Sequence, residues 1–98
     1  MRRKNEQPLK EVIEQFIETF RLRPKLTEAS IRATWESIVG ALIAKHTTHI
    51  YIKKNILFIH INSPAMMQEL SYAKTKLLKT INKKLNNSAI DEIIFRAS

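Results

Sequence analysis

Residues 46–53 and 56–62 constrain the fold more than any other part of the chain, because each sorts its side chains onto two faces at period two and only Lys54 and Asn55 separate them. Period-two alternation marks a strand with one buried face. A two-residue connection calls for a tight antiparallel turn, and Asn55 tolerates the positive φ that such a turn demands. The pairing follows: Ile52 opposes Leu57, Ile50 opposes Ile59 and His49 opposes His60. In that register Ile50, Ile52, Leu57, Ile59 and Ile61 share one face, which a slip of one residue would turn outward. His49, Tyr51, Lys53, Ile56, Phe58 and His60 take the other. This second face is aromatic and basic, suited to base stacking or to a protein partner, with burial under an amphipathic helix as the competing use of Tyr51 and Phe58.

The segments on either side have helical period. Residues 1–7, with Arg2, Arg3 and Lys4, carry no apolar repeat and read as a basic, mobile arm. Pro8 suits a helix start, after which Leu9, Val12, Ile13, Phe16, Ile17 and Phe20 form a stripe and Glu11, Glu14 and Glu18 an acidic ridge opposite it. Pro24 is expected to end that helix and Thr27 to cap a second one running to about Lys45. Ile31, Trp35, Ile38, Val39 and Leu42 line its apolar side. Ala29, Ala33, Ser37, Gly40 and Ala44 make a narrow small-residue face, predicting packing on two sides or a surface for self-association. Ser63-Pro64 starts a third helix expected to reach Asn86, with Met66, Leu70, Ala73, Leu77, Ile81 and Leu85 inward and Lys76, Lys79 and Lys83 outward. Asn86-Asn87 can close it, and Ala89–Arg96 has the β-branched character of a last strand.

The predicted fold is therefore α+β, in the order α-α-β-β-α-β, with a three-stranded sheet packed with helices. The last strand can lie beside either hairpin strand. At 98 residues the chain suits one domain, taken as residues 8–98 behind the arm. There is no cysteine, which excludes disulfides and thiolate metal sites and fits a reducing cytoplasm. The apolar runs are too short to span a bilayer, so no membrane association is expected.

Seventeen Lys and Arg against nine Asp and Glu give a net charge of +8, which favours polyanions through counterion release. Lys76, Lys79 and Lys83 form the densest basic ridge, a candidate phosphate track that Lys53 and Lys54 would extend if the hairpin tip lay nearby; a solvated helix face is the alternative. The acidic ridge of Glu11, Glu14 and Glu18 repels phosphate and suits a basic protein surface. Trp35, central in its stripe, is either a core residue or a partner-binding anchor. His49 opposite His60 supplies two nitrogen ligands with no third, which argues against a metal site. No glycine-rich phosphate loop and no nucleophile-base set is present, so neither catalysis nor a cofactor is expected.

Trp35-Glu36-Ser37-Ile38-Val39-Gly40, continued by Ile43-Ala44-Lys45-His46-Thr47, resembles the W-x-x-I-V-G-x-x-I-A-x-H-T run of the DciA family. Leu57–Ala65 with its Ser-Pro-Ala start, Glu69-Leu70, Leu77–Asn82 and the closing Ile93-Ile94-Phe95-Arg96 continue the likeness across residues 8–96. The resemblance implies a KH-like fold, docking on the hexameric replicative DNA helicase, association with DNA in the nucleoid, and a part in loading or activating that helicase. Two departures carry weight. Lys54-Asn55 replaces a glycine-bearing turn, and the long basic tails common in the family have no counterpart before Ser98, so the expected DNA contact is weak, not sequence-specific and directed at single-stranded or forked DNA. A nucleic-acid KH module grips phosphates through G-x-x-G, which a chain with one glycine does not offer. An RNA- or ribosome-associated KH-like role is the alternative.

Overall fold

The computed structural model describes residues 2–85 and 90–98, with side chains from Pro8 onward. Its order is α1 (Arg2–Thr19), α2 (Arg23–Val39), α3 (Ala41–Lys45), β1 (Thr47–Lys53), β2 (Ile56–Ile61), α4 (Pro64–Tyr72), α5 (Lys74–Lys84) and β3 (Glu92–Ala97). This is the α+β class and element order that the sequence and the KH-like expectation require, with two of the expected helices each split in two.

The hairpin forms as its turn chemistry dictates. Lys54 and Asn55 both have positive φ, 50° and 64°, the conformation of a turn whose twist matches its flanking strands. Ile52 pairs with Leu57, Ile50 with Ile59 and His49 with His60, after a bulge between Thr47 and His49. β3 adds to β2, parallel to it, giving the order β1-β2-β3. The sheet's inner face supplies Ile50, Leu57, Ile59, Ile61 and Ile93 to a core closed by Ile31 and Trp35 of α2, Leu70 of α4, Leu77 and Ile81 of α5, and Ile90. Three hydrogen bonds, two made by the Asn82 side chain and one between backbones, hold the approach to β3. Asn82 donates from Nδ2 to the Ile90 carbonyl at 2.9 Å and accepts from the Ile90 N–H at 3.1 Å, while the Asp91 N–H donates to the Asn55 carbonyl at 2.8 Å.

The helix boundaries depart from expectation, each for an identifiable reason. α1 begins at Arg2 and carries Pro8 inside it, so helix occupies most of the segment expected as an arm. Its C-terminus is a Schellman closure. Leu22 N–H donates to the Ile17 carbonyl at 2.9 Å and Arg21 N–H to that of Glu18 at 3.2 Å, with Arg21 at φ 53°. Pro24 opens α2 instead of ending α1, its fixed φ suiting a first turn. Thr27 is no cap: its Oγ1 donates to the Arg23 carbonyl within the helix at 2.9 Å.

The second helix stops at Gly40, whose φ of 95° and ψ of 162° suit glycine alone. That break re-aims the next turn, leaving Leu42 exposed while Ile43 packs against the core. The small-residue face is not packed on a second side, since Ala29, Ala33, Ser37 and Gly40 are exposed. The third helix breaks at Ala73, which is exposed and not part of the inner stripe. Two short helices can lay Leu70 and then Leu77 and Ile81 against one twisted sheet, which a straight rod would leave at one end. The Asn86-Asn87 cap lies outside the described residues.

Candidate nucleic-acid and partner interface

Two surfaces of opposite construction emerge from this framework. The first is the outer face of the sheet, where strand register sets side chains in three ranks: Lys53, Ile56 and Glu92; Tyr51, Phe58 and Ile94; His49, His60 and Arg96. α1 leaves this face open, with its Leu9, Val12, Ile13, Phe16 and Phe20 half or more exposed. Within the middle rank Tyr51 and Phe58 stack in parallel, centroids 5.1 Å apart and planes 5° from parallel, and the Arg96 guanidinium carbon lies 5.3 Å from the Phe58 centroid. Phe58 is thus sandwiched between a ring and a cation. Tyr51 Oη lies 3.1 Å from His60 Nε2, and the His49 and His60 rings meet edge to face at 5.3 Å.

This geometry restricts what can bind. A base stacks on a ring whose flat side faces solvent. Here the flat sides of Phe58 are occupied by Tyr51 and Arg96, so Phe58 is not free to stack a base. Sequence pattern found His49, Tyr51, Lys53, Phe58 and His60; it missed Ile94 and Arg96, although the alternation of the last strand carries that information once its neighbour is known. Among the described residues no group of three or more His, Cys, Asp and Glu comes together, and His49 and His60 serve the aromatic cluster.

The second surface is α5. Leu77 and Ile81 face the core, and Lys76, Lys79 and Lys83 stand exposed on the opposite side. Lys76 borders an apolar groove floored by Ile38, Val39, Ile43, Leu70 and Leu77. Lys53 ends β1 and Lys54 begins the turn. The Asn82–Ile90 and Asp91–Asn55 hydrogen bonds tie the turn to the C-terminal half of α5, the end that carries Lys83, whereas Lys53 itself stands in the outer rank of the sheet. At the break between α4 and α5, Tyr72 is 82% exposed, a feature sequence reasoning overlooked because Tyr72 was read as part of one continuous helix.

The remaining candidates divide. Trp35 is 3% exposed and belongs to the core, its Nε1 donating to Thr47 Oγ1 at 2.9 Å, so it is not available as an anchor. Thr47 Oγ1 in turn donates to the Ile43 carbonyl at 2.8 Å, fastening α3 to β1. Glu11, Glu14 and Glu18 are exposed along α1, and Glu18 accepts from Arg23 at 3.1 Å across the corner. His46 closes α3, its Nδ1 2.7 Å from Asn62 Oδ1.

One further device was invisible in the sequence. β1 is an edge strand, and side chains of α2 cover its free backbone at Ile50 and Ile52. Glu28, 6% exposed, accepts from the Ile52 N–H at 2.9 Å and from Arg32 at 3.1 Å, while Arg32 also reaches the Ile50 carbonyl at 3.4 Å. An unprotected edge invites pairing with another chain; this one is met at Ile50 and Ile52. The i, i+4 spacing of Glu28 and Arg32 was the only available signal, and it reads equally as a surface ion pair.

Two comparisons with known proteins give matches. A UPF0232 protein of Corynebacterium glutamicum (strain R) is 35% identical over 63 residues, which cover 64% of this chain and 35% of that protein. The match thus spans about a third of the relative's length. The family described as "Dna[CI] antecedent, DciA" matches residues 8–95, from within α1 into β3. Because that match takes in every element of the core, the chain belongs to the DciA family.

Proposed function

We propose that this domain is a non-catalytic binding module that docks on the replicative DNA helicase and assists its loading or activation on DNA. The observation that carries the reading is family membership across residues 8–95; the division of the body into an aromatic sheet face and a lysine-bearing helix supports it. The sheet face around Tyr51 and Phe58, with Glu11, Glu14 and Glu18 on α1, is the protein-docking side. Lys76, Lys79 and Lys83, continued by Lys53 and Lys54, track phosphates of single-stranded or forked DNA weakly and without sequence preference. Such a module works in the bacterial cytoplasm, at the nucleoid, and spends binding energy instead of making bonds.

Interferometry with the purified cognate helicase is the direct test. Micromolar or tighter binding that survives Lys76→Glu, Lys79→Glu and Lys83→Glu together, with loss of DNA retention, is the expected result. No binding to the helicase, or a preference for structured RNA over forked DNA at matched salt, overturns the reading.

A further inference from the structure

One apolar surface has no use in the reading above. On α1, Leu9, Val12, Ile13, Phe16 and Phe20 are between 51 and 60% exposed, on a helix whose direction is held by the Schellman closure at Arg21 and by the Glu18–Arg23 bridge. The molecule consequently measures 55 by 24 by 21 Å, and its radius of gyration is 16.0 Å against about 12.6 Å for a compact chain of this length. Five large side chains in one stripe leave on the order of 500 Å² of apolar surface bare, the upper part of the range that monomers tolerate.

The spacing of the stripe identifies its occupant. Leu9, Val12, Ile13, Phe16, Ile17 and Phe20 are disposed symmetrically about the midpoint between Glu14 and Gln15. A two-fold antiparallel mate therefore sets Leu9 against Phe20, Val12 against Ile17 and Ile13 against Phe16, apolar against apolar at every step. Glu11, Glu14 and Glu18 point away from that seam at 100° per residue, and the helix dipoles oppose. Both copies together would bury on the order of 1,000 Å², the threshold for a specific interface. We infer that the apolar face of α1 is a homodimer interface, in which the α1 helices of two copies pack antiparallel about residues 14 and 15 and carry their acidic ridges outward.

Sedimentation equilibrium of the full chain tests this, with helicase and DNA absent. The expected result is a reversible monomer–dimer equilibrium whose dissociation constant rises at least tenfold in Phe16→Glu, while the thermal midpoint of the monomeric body is unchanged because Phe16 lies outside the core. Since the chain has no cysteine, single cysteines report register. Phe16→Cys places its mate about 4.5 Å away along the axis and Leu9→Cys about 16.5 Å away, so oxidation cross-links the first and spares the second. A strict monomer at high micromolar concentration, including one in which α1 folds back on its own sheet, overturns the inference. So does a dimer broken by Ala33→Glu and not by Phe16→Glu, or preferential cross-linking of Leu9→Cys.

Discussion

Glu28 shows how much one side chain decides. It is a buried carboxylate in a helix, yet it satisfies the Ile52 N–H of the edge strand and is itself satisfied by Arg32. Removing it strands a backbone donor and frees an edge. Glu28→Ala should therefore cost about 2 kcal/mol, the range for hydrogen bonds to charged groups, Arg32 being half-exposed and contributing little; chemical denaturation measures this. The amide of Ile52 should lose hydrogen-exchange protection ahead of its neighbours on β2. Gly40 decides a different matter. A Cβ there would meet nothing within 4 Å, but φ of 95° strains any L-residue. Gly40→Ala should accordingly destabilise by about 1–3 kcal/mol, visible as a fall in thermal midpoint, with no cavity or clash to relieve.

At the scale of elements, α5 does two jobs on two faces. Its inner stripe holds the sheet, and its outer lysines are exposed, so they can be exchanged at small cost in stability. Lys76→Glu, Lys79→Glu and Lys83→Glu together should leave the denaturation midpoint within about 1 kcal/mol of the parent. The same change should flatten the dependence of log Kobs on log salt for single-stranded DNA by about 2, from three phosphate contacts at roughly 0.7 each. An unchanged slope would show that the ridge is only solvated surface. The break at Ala73 matters here as well, because it aims α5 separately from α4 and so sets which way the lysines point.

For the whole molecule, the Tyr51–Phe58 rank of the sheet and the lysines of α5 lie on opposite sides of one core, which predicts separable losses. Tyr51→Ala with Phe58→Ala removes the stacked pair and the seat of Arg96, and should weaken helicase binding at least tenfold while the DNA salt slope stays as in the parent. Equal loss of both activities would mean a shared surface and would count against a two-sided body. Because Tyr51 and Phe58 are half-buried on the outer face, circular dichroism and the thermal midpoint must accompany the binding measurement.

What was legible in advance was what depends on near neighbours in the chain. The hairpin register, the Lys54-Asn55 turn, the Ser63-Pro64 helix start and the inner stripe of α5 all follow from period and turn chemistry. The family resemblance rested on the same local runs. The second helix, by contrast, was expected to continue through Gly40 and the third through Ala73, because periodicity alone does not register a re-aimed turn. Trp35 stood at the centre of a stripe, and only the packing of α2 on β1 showed that none of it was left for a partner. Arg96 joined the aromatic rank once β3 was known to lie beside β2. Sequence by itself thus determined the elements, the buried faces and the charge each helix displays, since those depend on side-chain spacing along a few turns. Tertiary structure decided the strand order, the covering of the β1 edge by Glu28 and Arg32, and the exposure of α1, since each is a competition between surfaces distant in the chain that becomes definite only when they meet.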